Sequence, residues 1–168
     1  MFKMAGKGKD YLPGGSDWSE LKKTFNDNKG TSDPRRFRNY IKMMAASKHL
    51  QLGDVTIDWM HHALPSTKLL NNKKTLAQIK TPILLLTPLK DAIVSASAQS
   101  KAVRHLSNAQ QITFTNAKHE IWIEKNFIRN AWMVQNLKFL NVLMKNDVTP
   151  PVRFSRKLVK YTPIKKPK

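Results

Sequence analysis

The sequence TPILLLTPLKDAIV, residues Thr81–Val94, contains a short apolar run followed by a polar loop, and QITFTNAKHEIWIEKN, residues Gln111–Asn126, has the same arrangement. The run Ile83–Leu86 is continuous and follows a proline, which is typical of a strand buried on both faces of a parallel sheet. In residues 112–115 Ile and Phe alternate with Thr, and all three residue types favour strands. Each stretch therefore predicts a strand followed by a loop.

A helix is predicted between the two strands because Ala98, Ala102 and Leu106 recur at helical spacing. Strand, helix and strand form a crossover unit, in which the parallel strands end at the same edge of the sheet. Asp91 and His119 follow the two strands and are expected at that edge, where open α/β sheets hold their active sites. An acid followed by a histidine is the order of the last two members of the Ser–Asp–His triad in α/β-hydrolases.

The histidine loop also resembles that of a known family. NAKHEIWIEKN, residues Asn116–Asn126, is similar to the loop of lysophospholipase L2 and related monoacylglycerol-lipase-like enzymes, which are α/β-hydrolases of the serine aminopeptidase S33 type. In that family the catalytic His is followed by Glu, two or three apolar residues and another Glu, as at His119, Glu120 and Glu124. LLLTPLKDAIV resembles the strand and loop of the catalytic acid, with Asp91 in the acid position. The resemblance implies a partial α/β-hydrolase fold with Asp91 and His119 as catalytic residues.

Three upstream segments resemble the part of the family that covers the active site: YLPGGSDW (Tyr11–Trp18), TSDPRRF (Thr31–Phe37) and LQLGDVTIDW (Leu50–Trp59). The likeness extends over roughly residues 10–145, with the motifs in the family's order. From this likeness and from the composition of the two ends we predict four parts: a flexible N-terminus at 1–9, a helical lid or cap segment at 10–75, the C-terminal part of an α/β-hydrolase core at 76–148, and a basic disordered tail at 149–168.

The nucleophile elbow of the family, G-x-S-x-G, is absent from the sequence. Gly14, Gly15 and Ser16 begin the pattern, but Trp18 stands where the second Gly is needed, and no other Ser lies between suitably spaced glycines. The elbow also supplies part of the oxyanion hole. We therefore expect the chain to be the C-terminal portion of a lysophospholipid or monoacylglycerol hydrolase that is inactive without a missing N-terminal portion. No cofactor or metal is expected.

The charge suggests a second class of partner. The 168 residues include 30 Lys and Arg against 11 Asp and Glu, a net charge of +19. A solvated basic surface is the simplest explanation, while an anionic membrane surface or nucleic acid would also attract such a chain. The basic residues form no single recognition helix, so no specific nucleic acid is expected. The alternative to a hydrolase portion is thus a non-catalytic basic module that binds anionic membrane or nucleic acid.

The compartment follows from what the sequence lacks. It has no Cys, no apolar run near the length of a membrane span and no signal-peptide core at its start. The expected location is cytoplasmic, with or without peripheral attachment to the cytoplasmic face of the membrane. His61 and His62 are adjacent and would project about 100° apart on a helix, an arrangement that does not suit one metal ion.

Several helices flank the predicted strands. Asp33 and Pro34 are typical of a helix start, and apolar residues from Phe37 to Met44 predict an amphipathic helix that ends near Lys48. Asp54 is a candidate cap for a second helix, and the residues from Pro65 to Lys74 are interpreted as a linker that leads into a short helix at residues 76–79.

The segment after His119 predicts a long closing helix that packs on the sheet through one apolar face. The residues of that face are Phe127, Ala131, Val134, Leu137, Leu140 and Met144. Trp122 and Trp132 are interpreted as large apolar contacts. Glu120 and Glu124 are interpreted as exposed side chains, with support of the site as the alternative.

Overall fold

The computed structural model describes residues 6–20, 23–145 and 158–161, the last four by their backbone. In chain order the elements are α1 (Pro34–Ala46), a 3₁₀ helix (Lys48–Leu50), α2 (Ile57–Leu70), α3 (Lys73–Gln78), β1 (Ile83–Pro88), α4 (Ala96–Val103), β2 (Ala109–Phe114), a second 3₁₀ helix (Ile121–Ile123), α5 (Asn126–Lys145) and β3 (Leu158–Tyr161). They fall into two compact units. Unit 1 is Met1–Asn28 with Arg38–Asn72, and unit 2 is Lys29–Phe37 with Lys73–Lys168.

Among the described residues, the sheet of unit 2 has three strands in the order β1-β2-β3. β1 and β2 are parallel, with Ile83 beside Ala109 and Pro88 beside Phe114, as the crossover pattern predicted. β3 pairs with the other side of β2 and is also parallel to it. The prediction of disorder for 149–168 is therefore wrong at Leu158–Tyr161. Its sequence LVKY contains strand-forming residues, whose signal was hidden by the surrounding basic residues and prolines; the other tail residues lie outside the described ranges.

Helices cover both faces of this sheet, which gives the α/β architecture that was predicted. On one face, Ile112 and Phe114 of β2 pack with Ile121 of the second 3₁₀ helix and Ile128 of α5. On the other face, Ala109 packs with residues of α3 and α4 and of the loop after α4: Leu76, Val103 and Leu106.

The strands β1 and β2 differ in their burial. Residues 111–114 of β2 are buried on both faces because β2 lies between two other strands. The expectation of full burial for Ile83–Leu86 is wrong, since these side chains of β1 are half-buried. Their side chains point alternately towards the two core clusters, but β1 is at the edge of the described sheet. The position of β1 at the edge explains why it is less buried than β2, and a local sequence pattern does not show which strand lies at an edge.

Unit 1 is held by backbone pairing between its N-terminal segment and the residues before α2. Tyr11 and Thr56 form an antiparallel bridge, and Leu12 donates to the carbonyl of Val55 at 2.9 Å. Asp54 does not cap α2 as expected; its carboxylate accepts from the backbone N–H of Ser16 at 2.9 Å. The N-cap is Thr56, whose hydroxyl accepts from the N–H of Trp59.

The helices α1 and α2 show one correct and one wrong boundary. The Asp33 carboxylate caps α1, because it accepts from the N–H groups of Arg35 and Arg36 at 3.0 and 3.1 Å. The interpretation of Pro65–Lys74 as a linker is wrong. α2 continues through Pro65 to Leu70, and α3 begins at Lys73. A proline removes one helical hydrogen bond without necessarily ending the helix when neighbouring turns continue.

The closing helix α5 exists, but of the six residues predicted for its packed face only Ala131 packs against the core of the sheet. Ile128 is buried, and Ala131 and Trp132 pack against the same core cluster. Phe127, Val134, Leu137, Leu140 and Met144, which were assigned to the packed face, are exposed. Trp122 is also exposed rather than packed. Neither α5 nor any other helix within the described ranges is both long and apolar enough to cross a membrane.

Candidate active site

The loop after β1 fixes the position of Asp91. At the end of the strand, Leu89 donates its N–H to the carbonyl of Phe114 at 2.9 Å, which keeps the loop beside β2. The Oδ1 atom of Asp91 then accepts from the N–H groups of Ile93 and Val94 at 2.8 and 2.9 Å. A short carboxylate side chain that closes a turn in this way is held in one orientation. The second oxygen, Oδ2, remains available to another donor.

The loop after β2 brings His119 to the same edge. Lys90, next to Asp91, donates its N–H to the carbonyl of Ala117 at 3.0 Å, so the two loops are joined by their backbones. The backbone of the histidine loop is also attached to a third segment. His119 donates to the carbonyl of Lys29 at 3.3 Å, and Glu120 donates to the carbonyl of Gly30 at 2.8 Å.

Asp91 and His119 are in direct contact, as their positions after adjacent parallel strands predicted. Nδ1 of His119 lies 2.8 Å from Oδ2 of Asp91. The Asp91 side chain is 2% exposed and that of His119 is 32% exposed. Burial raises the pKa of Asp91, but hydrogen bonds from the N–H of Val94, the imidazole of His119 and the N–H of Ile93 outweigh it and leave the pKa below its ordinary value.

The ionised state of Asp91 determines where the proton of a neutral His119 ring resides. With its pKa below the ordinary value, Asp91 is a carboxylate at neutral pH, and a carboxylate can only accept hydrogen bonds. Nδ1 must therefore carry the proton, which leaves Nε2 with a free lone pair. A partly exposed imidazole with that tautomer can accept a proton from a neighbouring hydroxyl group.

Glu124 is buried, so the interpretation of this residue as exposed is wrong. Its side chain is 0% exposed. Oε1 accepts from the N–H of Lys118 at 2.8 Å, and Oε2 accepts from the hydroxyl of Ser32 at 2.5 Å and from the N–H of Lys125 at 3.3 Å. Hydrogen bonds to a charged group are worth about 1.5–3 kcal/mol each, which offsets the cost of burying the carboxylate.

Ser32 belongs to a segment, Lys29–Arg36, that we call the clamp segment because it is bonded to the histidine loop along its length. Thr31, which is fully buried, donates its hydroxyl to the carbonyl of Ile123 at 2.7 Å. The guanidinium of Arg36 donates to the carbonyl of Glu124 and, at 2.6 Å, to the side chain of Asn126. Sequence reasoning interpreted Thr31–Arg36 of this segment as part of the cover of the site, with a helix that begins at Asp33 and Pro34. The only signal for these contacts was the unexplained second Glu of the family pattern.

Glu120 differs from Glu124. Its side chain is half-buried, and its carboxylate makes no hydrogen bond within the described part of the chain. Burial raises its pKa above the ordinary value, while the nearby charge of His119 opposes that shift. The adjacent carboxyl thus contributes to the electrostatics of the site without a fixed partner.

The remaining candidates, Ser16, His61 and His62, belong to unit 1. Ser16 belongs to unit 1, where its hydroxyl donates to the carbonyl of Asp17 at 3.1 Å. His61 and His62 are exposed on α2 and contact each other edge to face. Among residues 6–20, 23–145 and 158–161, no three His, Asp or Glu side chains are grouped closely enough to hold a metal ion.

The chain is similar to a known protein family and to a bacterial protein. Residues 16–126 match the family model described as serine aminopeptidase, S33. Over 142 residues the chain is 28% identical to a Haemophilus influenzae protein named "Probable lysophospholipase L2", and the alignment covers 84% of this chain and 44% of that protein. The chain thus spans less than half of the length of that relative. No solved structure matches the chain.

Proposed function

Because the chain belongs to the serine aminopeptidase S33 family, whose members are α/β-hydrolases, we propose that it supplies the acid and the base of a lysophospholipase-like serine hydrolase. The observation that supports this most strongly is the 2.8 Å contact between Asp91 and His119 at the carboxyl ends of adjacent parallel strands. In this proposal Asp91 is the triad acid and His119 is the general base.

The geometry suits the first half of an acyl transfer. Nε2 of His119 takes the proton of the serine hydroxyl as that oxygen attacks the ester carbonyl. The imidazole then carries a positive charge, which the adjacent carboxylate of Asp91 stabilises. Asp91 also keeps the ring in the tautomer that leaves Nε2 unprotonated before the attack.

The same two residues complete the cycle. The protonated His119 returns its proton to the leaving alcohol, so the ester bond breaks and an acyl-serine remains. Water then attacks the acyl group, with His119 again as base. The bond between the acyl group and the serine oxygen breaks, His119 returns the proton to that oxygen, and the fatty acid is released. From this chain, each step uses the proton carried by one nitrogen atom of His119 and the fixed charge of the Asp91 carboxylate.

The serine and the oxyanion hole would come from an N-terminal portion outside the 168 residues, because the sequence contains no G-x-S-x-G. Loss of the nucleophile alone lowers kcat about 10⁶-fold in a serine protease with this triad. The chain by itself should therefore neither hydrolyse p-nitrophenyl esters nor react with a fluorophosphonate probe. Stoichiometric labelling of a serine in the isolated chain would show that a nucleophile has been overlooked.

A second observation at the level of the gene tests the origin of the nucleophile. We expect the DNA upstream of Met1 to encode, in one of its three reading frames, a strand and a helix joined by a G-x-S-x-G turn. Co-expression of that segment with this chain should restore labelling, and Asp91→Asn or His119→Ala should abolish it. If no such segment is encoded, the chain is not a portion of an active hydrolase.

The substrate class proposed is carboxylic esters of lysophospholipids or monoacylglycerols. It is supported by the name of the Haemophilus influenzae relative and by the similarity of the histidine loop to that group of enzymes. A cytoplasmic enzyme attached to the membrane surface would meet such substrates directly.

The alternative function is a non-catalytic basic module, and the observation that favours it is the net charge of +19. Anionic lipid attracts basic segments with about 1 kcal/mol per Lys or Arg near the surface. Lipid attachment is compatible with both functions, whereas the Asp91–His119 contact is required only by the hydrolase. The module would be favoured by two results together: His119→Ala binds anionic vesicles as well as wild type does, and co-expression with an N-terminal portion does not restore labelling.

A further inference from the structure

We propose that Glu124 is a positioning residue, whose buried carboxylate holds the histidine loop so that His119 meets Asp91; this inference rests on the proposed role of His119 as the base. Oε1 accepts from the N–H of Lys118, the residue immediately before His119, at 2.8 Å. Oε2 accepts from the hydroxyl of Ser32 at 2.5 Å. One side chain thereby joins the loop of the base to the clamp segment.

A buried carboxylate at position 124 destabilises the fold unless hydrogen-bond donors stabilise its charge. Glu124 is completely buried, and removal of a charged group from water is unfavourable unless it is fully hydrogen-bonded. The nearby cation Arg36 donates to the backbone carbonyl of Glu124 rather than to the carboxylate. The carboxylate oxygens are therefore free to accept from Lys118, Ser32 and Lys125, which are bonds that an apolar side chain of similar size could not make.

The bond from Asp91 cannot fix the base by itself. It holds one nitrogen of the imidazole ring but leaves the backbone of His119 free to shift and carry the ring with it. The backbone is fixed by two sets of contacts: the acceptor carbonyls of Lys29 and Gly30, and the carboxylate of Glu124. A displacement of about 1 Å in a catalytic group can lower a rate by about a hundredfold, so fixing this backbone matters for the chemistry.

The first experiment measures hydrogen–deuterium exchange of the full chain by mass spectrometry, in wild type, Glu124→Leu and Glu124→Gln. Leu removes both acceptors, so peptides that contain Lys118–Glu120 should exchange about tenfold faster. Gln keeps one oxygen for the N–H of Lys118, and its amide can donate to the hydroxyl of Ser32; it should restore most of the protection. Peptides of β2 should be unchanged in both variants.

Glu120→Gln is the matched control. It makes the same charge change in the same loop, but the carboxylate of Glu120 makes no hydrogen bond within the described residues. It should leave exchange at Lys118 unchanged. Equal protection of Lys118 in wild type and Glu124→Leu would overturn the proposal, as would faster exchange spread equally over β2. If Glu124→Leu does not fold, Ser32→Ala tests the other end of the bridge, and unchanged exchange at residues 118–120 in that variant would overturn it too.

The second experiment separates positioning from a merely structural role. Diethyl pyrocarbonate modifies neutral imidazole, and the ratio of the modification rates of His119 and His105 reports on the environment of His119 within one sample. Asp91→Asn and Glu124→Leu should each change that ratio, and the double variant should change it by less than the two effects combined, because both act on one ring. Independent, additive effects would contradict the coupling.

These readouts do not depend on turnover, so they remain informative if the proposed hydrolase function fails. If co-expression with an N-terminal portion does not restore labelling but Glu124 and His119 remain coupled, the hydrolase function is refuted and the positioning role of Glu124 is retained. If co-expression restores labelling and Glu124→Leu does not slow it, the hydrolase function is supported and the positioning role is refuted.

Discussion

Replacement of Asp91 offers the most direct test of the site, because Asn and Ala remove different parts of its interactions. Asn keeps an oxygen that accepts from Ile93 and Val94, but it loses the charge that faces His119. A hydrogen bond to a charged group is worth about 1.5–3 kcal/mol and a neutral one about 0.5–1.5 kcal/mol. Asp91→Asn should therefore lower the free energy of unfolding by about 1–2 kcal/mol at neutral pH.

Asp91→Ala loses the turn as well as the contact with His119. The two backbone N–H groups of Ile93 and Val94 then have only water as a partner, and the expected loss is about 2–4 kcal/mol. The assay is urea unfolding at low micromolar concentration, followed by circular dichroism. The control is Asp10→Asn, which makes the same charge change on an exposed side chain and should stay within about 0.5 kcal/mol of wild type.

The pH dependence gives this test a definite sign. The folded-state pKa of Asp91 lies below its ordinary value of about 3.9, so the folded state favours the ionised form. The resulting stability is fully present above the unfolded pKa and is lost as the pH falls through the folded pKa. The difference between wild type and Asp91→Asn should thus shrink below about pH 4. A difference that stays constant or grows as the pH falls below about 4 would refute the assignment of an ionised Asp91 bonded to His119.

Three further predictions concern the packing, the sheet edge and the charge. Ile128→Ala should cost about 2–5 kcal/mol because the residue is buried, whereas Leu137→Ala should stay within about 0.5 kcal/mol because its side chain is 55% exposed; equal losses in thermal unfolding would contradict the observed face of α5. The half-buried edge strand β1 should make the isolated chain poorly soluble, and co-expression with a complementary N-terminal portion should raise its solubility; a monodisperse, cooperatively unfolding monomer would argue against a missing part. The chain should sediment with anionic but not zwitterionic vesicles at low salt, less so at physiological salt and less after truncation at Asp147; sequence-selective DNA binding that survives physiological salt would contradict a role for the charge at membranes.

The contact between Asp91 and His119 could be predicted because it follows from local patterns and one topological rule. Each residue comes just after a run of strand-forming residues, and parallel strands end at one edge. A helix of suitable length lies between the runs, which makes the strands adjacent and parallel. No side-chain detail was needed to bring the two residues to one place; only the 2.8 Å distance required the structure.

The packed face of α5 could not be predicted because the helix is apolar on two sides. Ile128, Trp132 and Phe139 recur at helical spacing, and so do Phe127, Val134 and Leu137. Periodicity measures how apolar residues are arranged around a helix, but it does not show which of two apolar stripes meets the sheet. That choice is made by the shape of the surface formed by β1, β2 and the second 3₁₀ helix, which is built from residues distant in sequence.

The burial of Glu124 could not be predicted from the sequence for a related reason, which applies to buried carboxylates in general. Its partner Ser32 lies 92 residues away, and its other donors are backbone N–H groups, which every residue except proline possesses. A glutamate followed by lysine and asparagine at the start of a helix looks the same in sequence whether it faces water or the interior. What separates the two cases is the number of donors that converge on the carboxylate, and three converge here. Asp91 could be recognised because its position relative to a strand limits its partners, whereas Glu124 is defined only by a segment that the fold brings to it.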